Sequence, residues 1–185
     1  DDFLAAMADA NGADLQRFAQ WYSQSGTPQV QVSGHYDSAA QEYRLTLKQH
    51  TPATHDQKTK QALIIPFAVG LLTNDGEELP LQLEGETEAG TGTRLLVLEE
   101  MQQEYTFVNV PEAPVPSLFR DFSAPVKVFY DYSHAQLATL IAFDSDAYVR
   151  WDAAQRMAQD VILEQCHRRS EGMEMRLDPP LLKAF

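Results

Sequence analysis

The stretch "WYSQSGTPQVQVSGHY" (Trp21–Tyr36) changes its period partway along. Ahead of it, Leu15 and Phe18 lead to Trp21 or Tyr22 at i, i+3 and i+6/7, one face of a helix. Past Pro28, Val30 and Val32 alternate with Gln29, Gln31 and Ser33, the signature of a strand buried on one face. Gly26 supplies the helix stop, with Pro28 just beyond it. A helix therefore ends where a β-sheet begins.

Downstream, the strand pattern dominates. Residues 27–131 hold eight of the ten prolines and six of the nine glycines, and short alternating runs lie between turn signals. Tyr43, Leu45 and Leu47 alternate with Arg44, Thr46 and Lys48, and the connection "YDSAAQE" (36–42) is hairpin-sized. Leu63, Ile65, Phe67, Val69 and Leu71 form a further run that stops at Asn74-Asp75-Gly76, a tight-turn signal. Leu79, Leu81 and Leu83 alternate next, then Leu96 and Leu98, then Tyr105, Phe107 and Val108, then Val126, Val128 and Tyr130. Seven short strands of this kind predict a β-sandwich of immunoglobulin-like size. "PEAPVPSLF" (111–119) reads as a stiff, extended connector between sheets, because proline fixes φ and removes a donor.

Upstream, Phe3, Leu4 and Met7 make a short apolar stripe that Asn11-Gly12 would stop in a left-handed turn, and Asp14 is placed to cap the next helix. Beyond the sandwich, Ser133 with Gln136 forms a capping-box pattern ahead of Leu137, Leu140 and Ile141. A longer helix comes after it, with Tyr148, Trp151, Ala154, Ala158, Val161 and Ile162 on one face and Asp152–Arg156 and Glu164–Arg168 paired outside. After Gly172, Asp178 and Pro179 predict a further helix start. The expected fold is mainly β with flanking α: an immunoglobulin-like antiparallel β-sandwich with helical segments at both ends. The terminal helices have few partners to bury their apolar faces. Either they pack on the sandwich and on each other, or a further domain covers them.

Composition excludes some partners. The 14 Lys and Arg against 27 Asp and Glu give a net charge of −13, which phosphate backbones and anionic membranes would repel. No apolar run approaches the length of a membrane span, and no signal peptide is visible, although the chain begins at Asp1 without a Met. The expectation is no nucleic acid, no membrane and a cytoplasmic setting. The single Cys166 admits no internal disulfide and fits a reducing compartment.

The candidate chemistry is thin. His35, His50, His55, His134 and His167 contain no H-E-x-x-H, and His50 and His55 share a polar loop without a third ligand. Cys166 and His167 are helical neighbours about 100° apart, so they cannot act as nucleophile and base, and Cys166 reads as structural on an apolar side. Glu77, Glu78, Glu84, Glu86 and Glu88 lack calcium-loop spacing and read as a solvated edge or loop. G-x-G-x-x-G and G-x-S-x-G are absent. "GMEM" (172–175) departs from the G-x-M-E-N motif of aminopeptidases in spacing and in its last residue. These residues predict no catalytic, cofactor-binding or metal-ligating side chain in the chain.

Four stretches carry a resemblance: "FAQWYSQSGTPQVQV" (18–32), "HTPATHDQKTKQALIIPFAVGLL" (50–72), "FSAPVKVFYDYS" (122–133) and "RWDAAQRMA" (150–158). In order, and over nearly the whole chain, they closely resemble the bacterial aminopeptidase N family, zinc metallopeptidases with H-E-x-x-H. The resemblance implies that residues 1–25 are the last helices of a catalytic domain. It makes 26–131 the sandwich and 132–185 the opening of a C-terminal helical domain. It also implies a parent enzyme that removes N-terminal amino acids from peptides, with a zinc-bound water attacking the scissile carbonyl and the motif Glu as general base. Acidic residues would hold the free amine and a Tyr the oxyanion. None of those positions falls in this chain, so no site residue is carried over. The implied role is a non-catalytic segment without zinc of its own, whose partners are the parent's remaining domains. The alternative is an independent β-sandwich module binding proteins or carbohydrates, for which Tyr36, Tyr43 and Tyr130 would supply an aromatic platform.

Overall fold

The computed structural model describes residues 2–12, 14–174 and 176. Helix α1 (Asp2–Asn11) ends at Gly12, whose φ of +60° gives the expected left-handed stop. The helix expected over 15–22 is shorter than its apolar spacing suggests: turns lead into α2 (Gln20–Ser23). The reason is tertiary, because the side chains of Trp21 and Gln24 are drawn onto the sandwich backbone.

Seven strands come next among the described residues: β1 (Gln29–Asp37), β2 (Glu42–His50), β3 (Ile65–Leu72), β4 (Arg94–Leu98), β5 (Gln102–Phe107), β6 (Val115–Leu118) and β7 (Lys127–Phe129). One sheet runs β5-β2-β1-β7 and the other β4-β3-β6. All pairs are antiparallel except β1 with β7. In the first hairpin Val32 faces Leu47 and Val30 faces Gln49, so the two apolar sets point the same way. Val30, Val32, Leu45 and Leu47 meet Ile65, Phe67, Val69, Leu71, Leu96 and Leu98 from the other sheet in one buried core.

Two strand expectations need correction. Leu79, Leu81 and Leu83 do not form a strand: Glu78, Leu81 and Leu83 make only isolated bridges. Leu81 alone of the three is fully buried, and the backbone beyond it hydrogen-bonds at Gln82 and Glu84 to Val108 and Thr106 before Gly90 returns to Leu81. The connector "PEAPVPSLF" instead contains β6, with every residue buried. Proline is tolerated because β6 lies at the sheet edge, where a missing N–H breaks no ladder.

Strand β3 is apolar on both faces because both are covered. Leu72 and Val115 pack against Leu137 and Leu140 of α3 (His134–Phe143) and Val149, Ala153 and Met157 of α4 (Ala147–Ser170). The capping box at α3 is present: the Ser133 hydroxyl accepts from the Gln136 amide, and the Gln136 side chain accepts from the Ser133 amide. Helix α4 buries a different face from the one its apolar spacing suggests. Trp151 is 58% exposed and Ile162 61%, while Val149, Ala153 and Met157 turn inward. The helix start expected at Asp178 and Pro179 lies outside the described residues.

Candidate functional site

The largest fully buried side chain among the described residues is Arg120, which belongs to no sequence motif. It is 1% exposed, though it carries a permanent charge. Its Nε donates to the Ser117 hydroxyl at 2.7 Å, and Nη1 donates to the Gly92 carbonyl at 3.1 Å and the Thr93 hydroxyl at 2.8 Å. Its Nη2 donates to Asp144 Oδ1 at 3.1 Å and lies 2.8 Å from Glu78 Oε1. A guanidinium has five N–H donors, and here partners surround it on every side. The plane of the group lies on Gly70: a Cβ there would come within 2.3 Å of Arg120 Cζ. Gly70 is thus needed for close approach rather than for a turn.

The partners come from separate elements. Ser117 sits on β6, Thr93 and Gly92 precede β4, Glu78 lies beyond β3, and Asp144 caps the end of α3. The backbone around the arginine is unusual. Phe119, Asp121 and Phe122 have φ of 67°, 56° and 49°, a left-handed geometry that costs non-glycine residues on the order of 1–3 kcal/mol each. The surrounding contacts hold it: the Asp121 amide donates to Asp146 Oδ2 at 2.9 Å, while Asp146 Oδ1 caps α4 by accepting from the Val149 amide. Arg150 Nη1 donates to the Asp144 carbonyl at 2.6 Å. One charged knot therefore joins the second sheet to the α3–α4 corner.

Burial pushes the Asp144 carboxyl above its ordinary range, opposed by the Ser117 hydroxyl, the Asp146 amide and the Arg120 charge. Glu78 moves the other way, held below the usual glutamate range by the Ser145 hydroxyl and by Arg120. By sequence Glu78 belongs to a solvated acidic stretch; the structure makes it a working partner of the knot. Glu86 likewise pairs with Arg94.

Two further ties fasten the helical end to the sandwich, one from α4 and one from the segment ahead of α3. Arg156 Nη2 donates to the Val128 carbonyl at 3.0 Å, and its Nε pairs with Asp152 at 2.7 Å, the expected i,i+4 contact. The Tyr132 hydroxyl donates to the Pro116 carbonyl at 2.7 Å. Between them lies a cavity of about 240 Å³ lined by Phe119, Val126, Tyr148 and Arg156.

At the other end the chemistry is neutral. Gln24 donates to the Gln61 carbonyl at 3.1 Å and accepts from the Gln61 amide at 2.8 Å, imitating a strand neighbour. The Trp21 indole donates to the Ile64 carbonyl at 2.8 Å.

The remaining candidates stay apart. His35, His50, His55 and His167 lie on different elements, and His134 opens α3 with its Nε2 at 3.8 Å from Asp160. Cys166 is exposed, not packed on an apolar side as its helix pattern suggests, because the second half of α4 projects past the packed cluster. Tyr43 is 3% exposed in the core, so Tyr36, Tyr43 and Tyr130 present no aromatic platform. Among the described residues no three His, Cys, Asp or Glu side chains are grouped to hold a metal ion. The zinc that the resemblance implies is one of the parent's, held by an H-E-x-x-H that this sequence lacks. No helix among the described residues is long and apolar enough to cross a membrane.

A family model described as a domain of unknown function (DUF3458) with an Ig-like fold matches residues 26–131. The chain belongs to this DUF3458 family. A second model, DUF3458_C, described as ARM repeats, matches residues 134–185. The DUF3458 chain is 42% identical to aminopeptidase N of Escherichia coli K12 over 185 residues, all of this chain and 21% of that protein. Aminopeptidase N of Haemophilus influenzae is 40% identical over the same 185 residues, again 21% of its length. A crystal structure of Legionella pneumophila aminopeptidase A in complex with aspartic acid matches 99% of this chain and 19% of its own, with a TM-score of 0.79 at 28% identity. The resemblance to aminopeptidase N is thereby borne out, as is the mainly β, Ig-like fold with flanking helices. The chain spans about a fifth of the length of the curated relatives it matches.

Proposed function

We propose that this chain is the non-catalytic middle segment of a cytoplasmic zinc aminopeptidase that removes N-terminal amino acids from peptides. In this reading residues 1–25 close a catalytic domain, 26–131 form the sandwich and 132–185 open a C-terminal helical domain. The sandwich links the two neighbours and sets their relative position. The observation that carries the positioning role, for the C-terminal neighbour, is Arg120, a buried charge whose partners lie on or beside the strands of the second sheet and on the corner between α3 and α4. Such a knot tolerates little change of angle, because moving one element strands a charge in the interior. The homology to the Ig-like and ARM-repeat region of aminopeptidase N supports the same reading.

The test is to read the coding sequence upstream of Asp1, and to assay both the chain and the longer product. The proposal expects H-E-x-x-H upstream. It also expects turnover of a chromogenic aminoacyl substrate by the longer product alone, abolished by a chelator. A reading frame that opens just before Asp1, or turnover by the 185-residue chain itself, overturns it.

A further inference from the structure

Two glycines separate the N-terminal helices from the sandwich, and they differ in what surrounds them. Gly26, with φ +97°, is hemmed in: a Cβ there would lie 3.3 Å from the methyl carbons of both Thr51 and Thr54 and 3.4 Å from the Pro52 carbonyl. Gly12, with φ +60°, has nothing within 4 Å of the same position. From Arg17 on, the residues between them hydrogen-bond to the sandwich, with Leu15 joined in through the Ala19 amide, while Leu15, Gln16 and Ala19 share only an open pocket with Leu4, Ala5 and Ala8 of α1. Arg17 donates to the Glu99 carbonyl at 2.7 Å, Trp21 to Ile64, and Gln24 exchanges two hydrogen bonds with Gln61. Lys60 reaches back to the Ser25 carbonyl at 2.7 Å and hydroxyl at 3.1 Å, while also donating to Thr54 and Gln57. The Ser25 amide donates to Gln57. By contrast α1 buries no residue, and Phe3 is 71% exposed.

We infer that residues 15–25 are a strap belonging mechanically to the sandwich, and that bending between α1 and the sandwich is taken up at Gly12 instead of Gly26. The change of period in the sequence marks where the strand begins. It does not mark where the rigid body begins, because the strap is fixed by side chains reaching backbone groups, which leave no periodicity. What this means for a parent enzyme rests on the proposed function: a catalytic domain would then hold the sandwich through a strap that the sandwich itself anchors. The strap itself is a property of this chain alone.

Native-state hydrogen exchange on the 185-residue chain tests it. The amides of Gln24, Ser25 and Gln61 should share the protection of β1 and β3, with α1 exchanging at least about tenfold faster. In the Gln24→Ala variant, which loses the donor to Gln61 and Thr51 and the acceptor of the Gln61 amide, exchange at Ser25 and Gln61 should accelerate while α1 is unchanged. Residues 15–25 exchanging together with α1, or a variant that leaves Ser25 and Gln61 as protected as before, overturns the inference. Either failure leaves the aminopeptidase reading untouched, since that reading rests on the upstream sequence and the assay of the longer product.

Discussion

At one end of the sandwich Gln24 copies a strand, trading amide hydrogen bonds with the backbone of Gln61. At the other end Arg120 gathers a hydroxyl from β6, backbone and hydroxyl groups ahead of β4, and two carboxylates. Both joints are buried, yet they fail differently. A lost neutral hydrogen bond strands one donor and one acceptor. A lost guanidinium strands charge, and the interior has no water to receive it. The neutral joint is therefore adhesive, and the charged joint is selective for one geometry.

The sharpest way to break this comparison is Arg120→Met. With Asp144 left buried and unpaired, stability should fall by about 3–5 kcal/mol in urea denaturation. The double variant Arg120→Met with Asp144→Leu should recover part of that loss, since the stranded charge is gone. If the double variant is as unstable as the single one, packing rather than charge dominates this joint.

Gln24→Ala should cost less, about 1–3 kcal/mol by the same measurement, because only neutral groups at Gln61 and Thr51 lose partners. Equal losses at the two joints would erase the distinction between them. Ser133→Ala, which removes the cap of α3 behind the charged joint, should cost about 1 kcal/mol.

The smallest effect concerns pH. Glu78 has a folded value below its unfolded one, so its contribution is complete above the unfolded value and is lost as pH falls through the folded value. Asp144, pushed up by burial, runs the other way: its charge costs stability that returns on acidification. Glu78→Gln should therefore flatten the acid limb of the stability curve below the ordinary glutamate range. An unchanged acid limb in that variant would remove Glu78 from the charged joint.

Much of the fold is legible because the β core obeys a period of two. Val30, Val32, Leu45 and Leu47 sit where alternation places them, and the Ser133 cap is visible in four residues. Strand β6 escapes sequence reading because the prolines within "PEAPVPSLF" argue against a strand unless the sheet edge is known. The buried face of α4 escapes it too, because apolar residues are spread around the helix, and only contact with α3 and β6 selects Val149, Ala153 and Met157. Arg120 leaves one faint signal, a lone cation in the largely apolar stretch 114–122. Its partners Ser117 and Glu78 lie 3 and 42 residues away in the chain, so spacing does not reveal them.

The proline in β6 has a consequence for the behaviour of the chain in concentrated solution. Open sheet edges recruit strands from other molecules and seed fibrils. At this edge Pro116 offers no N–H, its carbonyl is occupied by the Tyr132 hydroxyl, and the Ser117 side chain is committed to Arg120. The border of the second sheet gives an incoming strand little to grip, so a sandwich freed by proteolysis would be guarded on that flank against polymerisation.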